Sequence, residues 1–360
     1  MKENSKAHPL LDGAAGYGTS MSKEALQLSA MVQDQELSLI DRIESFEDII
    51  SIEVGDTSLT RARNVERETD LKQLYLKFEG GNPTGTQKDR IAFSQCHDAI
   101  RRGYTTITLA TCGNYGAAVA LAAQLAGLEC IIYIPEDYHT QRIKEMSDFN
   151  AEVRRIKGTY EEAVIFSSQI AAEKEWYDAN PGGENTSLQL TAYSEIAYEI
   201  YDQLRDAPRM VAVPVSNGTL LAGVYRGFVT LYKRGRTSRI PRMVAASSYK
   251  KNPIVYSFRK GFDSCIDLDQ TKIHESKTNE PLINWHSFDG NEAMWALQQS
   301  NGFAWDVSDD RMQKYSKLLK EKEGLHVLPA STAGLVAMLE MNTEEQFEHD
   351  RYVAIITGRK

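Results

Sequence analysis

Short apolar runs alternate with helical patterns along most of this chain. The predicted strands are Leu74–Glu79, Thr105–Ala110, Cys130–Ile134, Glu152–Ile156, Met210–Val215, Arg242–Ser247 and Tyr352–Thr357. The predicted helices are Lys23–Asp34, Ser38–Ile49, Lys88–Arg101, Tyr115–Ala126, Tyr160–Trp176, Thr191–Leu204, Leu220–Lys233, Asn291–Ser300, Asp309–Glu323 and Thr332–Met341. Residues Asn252–Pro281 have no periodicity and are predicted to be irregular. This alternation of strand and helix predicts parallel sheets covered by helices on both faces.

The clearest interruption of this pattern is the segment from Asn180 to Asn185, which contains one proline and two glycines. We interpret it as the passage between two domains, because 360 residues usually divide into more than one core. The predicted large domain comprises residues 1–90 and 191–360, and the predicted small domain comprises residues 91–190.

Composition narrows the class of partner. Apolar residues make up 42% of the chain and charged residues 25%, and the net charge is −9. These values are typical of a globular protein and argue against nucleic acid or an anionic membrane as the main partner. No apolar run is long enough to span a bilayer, and the N-terminus lacks the apolar core of a signal peptide. The four cysteines and seven histidines have no metal-ligand spacing, so we expect reduced thiols, no metal site and a cytoplasmic location.

A lysine at a predicted helix start provides the first candidate chemistry. Lys88 follows the strand Leu74–Glu79 and begins the helix Lys88–Arg101. A helix start repels positive charge, because its unpaired N–H groups and the macrodipole both point there. If Lys88 is also desolvated, its amine stays neutral and can form a Schiff base with an aldehyde. For Lys88 considered alone, a solvated lysine beside Asp89 and Arg90 is the simpler interpretation.

The sequence around Lys88 favours the chemical interpretation. The segment from Asn82 to Arg90 reads NPTGTQKDR and resembles the lysine motif of fold-type II pyridoxal-phosphate enzymes, the tryptophan synthase beta superfamily, and most closely that of threonine synthases. The matches that extend this resemblance are Gly55–Arg61, Thr111–Asn114, Val213–Gly218, Leu328–Ser331 and Ile356–Gly358. The resemblance implies two doubly wound, mainly parallel α/β domains with pyridoxal 5'-phosphate in the cleft between them. It also implies that Lys88 forms the Schiff base, that the large domain binds the cofactor, and that the small domain is mobile and binds the substrate.

Three further segments acquire predicted roles from this resemblance. The segment Ser216, Asn217, Gly218 and Thr219 lies between a strand and a helix, where backbone N–H groups can bind an anion, and the family's loop there holds the cofactor phosphate. An ordinary strand–helix turn with Ser and Thr caps is the alternative. In the family, a threonine at the position of Thr357 places its hydroxyl at the pyridine nitrogen; the alternative is a strand-end turn.

The segment Thr111, Cys112, Gly113, Asn114 and Tyr115 also joins a strand to a helix. The resemblance implies that this segment binds the substrate carboxylate and that Asn114 contacts the 3′-oxygen of the cofactor ring. Cys112 stands where the family usually has Ser or Thr, which replaces a hydroxyl by a poorer donor.

The substrate is less well defined. The resemblance favours a threonine-synthase-like lyase or synthase that acts on a small amino acid at Cβ or Cγ, with O-phosphohomoserine to threonine as the leading reaction. Related enzymes hold the substrate phosphate with an arginine after an Asn-Ser pair, but this chain has no arginine between Arg155 and Arg205. The alternatives are a serine or threonine ammonia-lyase, a β-replacement synthase using an O-activated serine, and a non-catalytic relative that binds pyridoxal phosphate or an amino acid. Relatives of this fold are commonly homodimers, and we expect one here.

Overall fold

The computed structural model describes residues 21–111, 113–138, 140 and 142–360. Its helices are α1 Lys23–Gln33, α2 Leu39–Glu53, α3 Arg63–Glu68, α4 Lys88–Arg101, α5 Asn114–Ala126, α6 Arg142–Asp148, α7 Tyr160–Lys174, α8 Thr186–Leu204, α9 Thr219–Lys233, α10 Pro253–Lys260, α11 Gly290–Gln299, α12 Asp309–Glu323 and α13 Ala333–Glu344. Its strands are β1 Leu59–Arg61, β2 Leu74–Phe78, β3 Thr106–Ala110, β4 Glu129–Pro135, β5 Glu152–Ile156, β6 Tyr177–Asp178, β7 Met210–Pro214, β8 Arg242–Ser248, β9 Phe303–Val307 and β10 Tyr352–Ile356.

The chain forms two compact units, each assembled from separate stretches of sequence. Among the described residues, the first unit comprises 21–55 together with 82–185, and the second comprises Asp56–Gly81 together with Thr186–Lys360. The sequence-based division instead assigned residues 1–90 to the same domain as the C-terminal part. The break predicted between Asn180 and Asn185 coincides with the later boundary of the structure.

The first unit contains a four-stranded sheet in the order β5-β4-β3-β6, and all of its pairings are parallel. Helices α1 and α2 belong to this unit because they pack against α5 and α4. Ser29 Oγ donates to the Leu125 carbonyl over 2.9 Å, and the rings of Phe46 and Phe93 stack with centroids 6.0 Å apart. These contacts explain why residues before Gly55 join the first unit, although the sequence pattern placed them with the second.

The second unit contains a six-stranded sheet in the order β1-β2-β10-β7-β8-β9. Only the pairing of β1 with β2 is antiparallel among these strands, and β10 is parallel to both β2 and β7. Because β7 and β10 are parallel neighbours, the turn after β7 and the residue after β10 lie at the same edge of the sheet. Ligands of open α/β sheets bind at this carboxyl edge.

A buried charge cluster joins β2 to α8 within the second unit. The Lys77 side chain is inaccessible to solvent, and its Nζ donates to Glu199 Oε2 and to the Thr57 carbonyl, both over 2.5 Å. Thr57 Oγ1 also donates to the buried Glu79 over 2.7 Å. The polar side of β2 is therefore buried, which is possible because the cation and the carboxylate form a pair.

The prediction of an α/β fold with two mainly parallel sheets is confirmed by the strand pairings of both units. The prediction that Asn252–Pro281 is irregular is wrong for its first part, which forms α10. Asn252 Oδ1 caps this helix by accepting from Ile254 N and Val255 N, Pro253 occupies the first turn, and Gly261 ends the helix in the left-handed conformation. Helix α8 begins at Thr186, five residues before the predicted start at Thr191.

Candidate active site

Lys88 is the first residue of α4, as the sequence predicted, and it is half-buried. Its Nζ lies 5.3 Å from the centroid of the Tyr115 ring, so the structure brings these two predicted site residues together. Tyr115 is fixed on two sides, because its hydroxyl donates to the Ala179 carbonyl over 2.7 Å and accepts from Gln95 Nε2. An aromatic face attracts an ammonium group. The ring therefore gives the amine of Lys88 a defined position next to the start of α5.

Asp89 follows Lys88 and is fully buried. Its carboxylate accepts from Thr84 N over 3.0 Å and from Thr84 Oγ1 over 2.8 Å, which fixes the turn that precedes Lys88. Desolvation raises the pKa of Asp89 from its ordinary value of 3.8 to about 7, and the Thr84 hydrogen bonds and the charge of Arg142 oppose this rise. The sequence pattern shows Asp89 only as a charged neighbour of Lys88 and does not indicate that it is buried.

We expect Asp89 to make folding depend on pH near neutrality. Its raised pKa means that the unfolded chain loses the proton before the folded protein does, so the stability contributed by the Asp89 proton is fully present below about pH 4 and is lost as the pH rises through about 7. The difference between the two pKa values of Asp89 corresponds to about 4 kcal/mol of unfolding free energy, at about 1.4 kcal/mol per pH unit. Asp89→Asn should remove this fall. The measurement is the difference in unfolding free energy between the wild type and the variant, determined by urea denaturation from pH 4 to pH 8.

Asp98, also in α4, provides a control of opposite sign. Burial opposes ionisation of this carboxyl, but hydrogen bonds from Arg101 and Tyr177 outweigh burial and lower its pKa. Asp98→Asn should therefore remove stability that is present above about pH 4 and lost only below it, so the difference between this variant and the wild type should stay constant from pH 4 to pH 8. A difference between wild type and Asp89→Asn that stays constant from pH 4 to pH 8 would contradict the role given to Asp89.

The segment after β3 forms the N-terminus of α5. Thr111 Oγ1 accepts from Gly113 N and Gly116 N, each over 3.2 Å, so the Thr111 side chain holds the turn together. Asn114 is the first residue of α5, and its Oδ1 accepts from Arg142 Nη1 over 2.7 Å. Cys112 lies outside the described residues. Arg142 is therefore a member of this site. The sequence pattern does not indicate its contact with Asn114.

The turn after β7 is held by side chains from residues 252–289. Asn252 Nδ2 and Ser287 Oγ donate to the Ser216 carbonyl over 3.0 and 3.1 Å, and Asn284 Nδ2 donates to Asn217 Oδ1 over 3.2 Å. Gly218 follows in the left-handed conformation, with φ +100°, and immediately precedes α9. The Ser216 carbonyl and the Asn217 side-chain oxygen therefore face these donors. The first N–H groups of α9 point out of the helix start, where they can bind an anion.

The Thr219 hydroxyl has a hydrogen-bond partner within the second unit. It donates to Asp289 Oδ2, a buried carboxylate whose Oδ1 accepts from Thr186 Oγ1 over 3.3 Å. A hydroxyl has one proton, and the Thr219 hydroxyl donates it to Asp289. An anion at this turn would therefore be bound by the backbone N–H groups and not by the Thr219 side chain. Asp289 thus connects the starts of α8 and α9. No local motif signals this contact, because the paired residues are separated by 70 and 103 positions.

Thr357 follows β10 and pairs with a second hydroxyl. Thr357 Oγ1 donates to Ser331 Oγ over 3.1 Å, and Ser331 Oγ donates to the Gly358 carbonyl over 3.2 Å. Hydroxyl protons rotate to suit their acceptors, so either group can turn toward a ring nitrogen. Since β7 and β10 are neighbours, this hydroxyl pair and the turn Ser216–Thr219 occupy the same sheet edge.

Other candidate chemistry receives no support from the described residues. Within 21–111, 113–138, 140 and 142–360, no three His, Cys, Asp or Glu side chains are arranged to hold a metal ion. Within the same ranges, no helix is both long enough and apolar enough to cross a membrane. Burial raises the pKa of Cys130 to about 12, so its thiol is a packing group.

Comparison with solved structures defines the fold class. Maize serine racemase matches with a TM-score of 0.73 and 20% identity, covering 89% of this chain and 92% of the racemase chain. The processed threonine deaminase isoform 2 from Solanum lycopersicum matches with a TM-score of 0.70 and 16% identity, covering 89% of this chain and 90% of the deaminase chain. These similarities establish the fold.

Sequence comparison establishes the family. Residues 50–358 match the family described as "Pyridoxal-phosphate dependent enzyme", so the chain belongs to that family. The threonine synthase of Methanocaldococcus jannaschii is 31% identical over 86% of this chain and 76% of that protein. The threonine synthase of Bacillus sp. (strain ULM1) is 29% identical over 86% of this chain and 84% of that protein. The chain is a pyridoxal-phosphate-dependent enzyme, and the predictions of enzyme, cofactor and family are confirmed.

The residues present fit this cofactor. The turn Ser216–Thr219 offers backbone donors at a helix start to a phosphate, and Thr357 with Ser331 offers hydroxyls to a ring nitrogen at the same sheet edge. In the first unit, Lys88 offers a primary amine to an aldehyde, and the Asn114 amide presents its NH₂ group because its oxygen is bonded to Arg142. These are the donor types that a phosphorylated pyridine aldehyde requires.

Proposed function

We propose that this protein is a threonine-synthase-like lyase or synthase that acts on an amino acid at its β or γ carbon. The leading reaction is conversion of O-phosphohomoserine and water to threonine and phosphate. The supporting observation is the similarity to threonine synthases over 86% of the chain, which includes the segment that carries Lys88 at the start of α4.

The proposed roles follow from the contacts of each side chain. Lys88 would hold the cofactor through its amine and would move protons to and from the substrate carbons. When bound, pyridoxal phosphate withdraws electrons from the substrate carbons. The Asn114 amide would donate to the ring oxygen of the cofactor, and the Thr357 hydroxyl would donate to its ring nitrogen.

The remaining proposed contacts involve backbone groups and the substrate. The turn Ser216–Thr219 binds the cofactor phosphate through its N–H groups, and the segment Thr111–Tyr115 binds the substrate carboxylate. Within this proposal, the second unit is the cofactor-binding domain and the first unit is the substrate-binding domain. A homodimeric assembly and a cytoplasmic location complete the proposal.

One group of contacts favours the alternative, an ammonia-lyase or β-replacement enzyme acting on an uncharged or O-activated serine or threonine. The segment after Asn185 contains no arginine, and its Thr186 bonds to the buried carboxylate of Asp289. Arg142, a cation whose guanidinium bonds to Asn114, is bidentate to Glu145 over 2.6 and 2.8 Å. A carboxylate repels a substrate phosphate, and a paired guanidinium attracts it less than an unpaired one.

A substrate screen on the wild-type holoenzyme tests the proposal. O-phosphohomoserine, serine, threonine and O-acetylserine are added separately, and phosphate, ammonia, threonine and the visible absorption of the cofactor are measured. We expect one phosphate and one threonine for each O-phosphohomoserine consumed. Ammonia release from serine or threonine, without phosphate release from O-phosphohomoserine, would replace the leading reaction by the alternative. The absence of any spectral change with all four compounds would contradict both.

A further inference from the structure

The guanidinium of Arg142 connects three parts of the first unit. Its Nη1 donates to Asn114 Oδ1 over 2.7 Å, and its Nη2 donates to the Thr84 carbonyl over 3.1 Å. Its Nε and Nη2 also donate to both oxygens of Glu145, whose side chain is 2% exposed. We propose that Arg142 is a positioning residue that holds the Asn114 amide in one of its two orientations, with the NH₂ group presented to the cofactor. This inference rests on the role proposed above for Asn114.

The chemistry of the two groups determines the orientation. An asparagine amide has an acceptor on one side and a donor on the other, and a rotation of 180° exchanges them. A guanidinium has donors only, so it can bond to the amide oxygen but not to the amide nitrogen. Rotation of the Asn114 amide would place two donors against each other and would leave a charged donor unpaired. That arrangement is unfavourable, because a charged donor loses its acceptor, and one orientation of the amide is therefore selected.

The charge of Arg142 is neutralised by its own helix. Glu145 lies one turn further along α6 and forms a bidentate pair with the guanidinium, so both partners are fixed in geometry. We infer from this pairing that Arg142 acts mainly by directing hydrogen bonds, and only secondarily by adding positive charge to the site. The pair also explains why an arginine suits this position better than a lysine, which lacks the planar set of donors.

The contact with Thr84 extends the effect toward Lys88. Thr84 receives the Arg142 bond at its carbonyl, while its N–H and hydroxyl donate to Asp89. The turn that precedes Lys88 is therefore bonded from both sides. Through this contact, Arg142 fixes the turn before α4 and the first residue of α5 relative to each other.

An amide NH₂ presented to the cofactor has a measurable consequence. A donor stabilises the anionic form of a ring oxygen, and an acceptor stabilises the protonated form. If Arg142 fixes the donor, its removal allows the amide to turn and raises the pH at which the bound cofactor changes its absorption. The change is spectroscopic, and a residue that only supports the fold would not produce it.

A double-mutant cycle tests this proposal on the holoenzyme. The variants are Arg142→Ala, Arg142→Lys, Asn114→Ala and the double variant Arg142→Ala with Asn114→Ala. For each, the absorption of the bound cofactor is titrated with pH, and cofactor affinity is measured by fluorescence. We expect Arg142→Ala to raise the spectral midpoint by about one pH unit, and Arg142→Lys to raise it less, because lysine retains a cationic donor. In the Asn114→Ala background, Arg142→Ala should have no further effect on the midpoint.

Arg154 provides the matched control. It lies in β5 of the same unit and is also bidentate to a glutamate, Glu152, over 2.8 and 2.9 Å. Arg154→Ala should leave the spectral midpoint unchanged. The proposal is overturned if Arg142→Ala moves the midpoint no more than Arg154→Ala does, or moves it equally with and without Asn114.

Two further outcomes are decisive. If Arg142→Ala does not fold, Arg142→Gln decides the question, because the glutamine amide can bond to either orientation of the Asn114 amide, and an unchanged midpoint in that variant also overturns the proposal. A wild type that acquires no cofactor absorption would instead contradict the proposed function.

Discussion

Lys88→Ala is expected to lower turnover by roughly three orders of magnitude or more, which is about 4 kcal/mol of lost transition-state stabilisation. The substitution removes the only group assigned both to attach the cofactor and to move protons at the substrate carbons. Covalent attachment is measured by borohydride reduction of the holoenzyme followed by peptide mass mapping. The wild type should carry the cofactor mass on the peptide with Lys88, and the variant should carry none there.

Two companion variants separate the nucleophile from the charge. Lys88→Arg keeps a cation above the Tyr115 ring but supplies no nucleophilic amine, so it should be as inactive as Lys88→Ala. Lys174→Ala removes an exposed lysine from the last turn of α7 in the same unit and should retain activity and cofactor attachment.

Chemical rescue gives an independent measurement. Methylamine added to Lys88→Ala should restore part of the turnover, because a small primary amine can occupy the space left by the side chain. If the wild type binds the cofactor but reduction attaches it to a different lysine, Lys88 does not have the assigned role.

The alternation of strands and helices was readable from the sequence because parallel strands are short apolar runs bounded by Gly, Pro and polar residues. The predicted bounds of Glu152–Ile156 and Asp309–Glu323 are those of β5 and α12. The predicted loops at Thr111 and Ser216 also follow β3 and β7, because a polar segment between a buried strand and a helix usually forms the loop that connects them. These features depend on local patterns.

Features that depend on long-range contacts were not readable in this way. Helices α1 and α2 have ordinary amphipathic patterns, and only their packing against α5 and α4 assigns them to the first unit. The contact of Asp289 with Thr219 and the burial of Lys77 are likewise products of tertiary packing. A polar residue in a strand pattern shows which face of the strand is polar. The residue that forms its hydrogen bond or ion pair is known only once the fold is known.

Helix α10 shows the opposite case, in which a local signal was present and was not used. Asn252 and Pro253 form an N-cap and first turn, and Gly261 is a C-terminal cap, within a segment that was interpreted as irregular because of its polar surroundings. Helix α10 also supports the candidate site, because Asn252 donates to the Ser216 carbonyl in the turn after β7. Reading caps together with periodicity would have identified both the helix and the residue that supports the turn.

Gly218→Ala is expected to weaken cofactor binding by roughly ten- to a hundredfold, or about 1.4 to 2.8 kcal/mol. Gly218 has φ +100°, and an added Cβ would lie 2.8 Å from both Ala293 Cβ and the Asp289 carbonyl and 3.0 Å from Ile254 Cδ1. The Asp289 carbonyl is backbone, so the turn itself has to move, and the N–H groups at the start of α9 move with it. The measurement is a titration of the apoprotein with pyridoxal phosphate, followed by absorbance.

Gly235, in the turn that follows α9, is the matched control for this prediction. It also has a left-handed backbone, φ +66°, but among the described residues other than its two chain neighbours no atom lies within 4 Å of an added Cβ. Both substitutions incur the left-handed strain of about 1 to 2 kcal/mol, whereas only Gly218→Ala displaces the turn. Cofactor affinity should therefore fall in Gly218→Ala alone, and saturating pyridoxal phosphate should restore most of its turnover because Lys88 is intact. Equal losses of affinity in the two variants, or a Gly218→Ala protein that binds as the wild type does, would mean that the cofactor phosphate is held elsewhere.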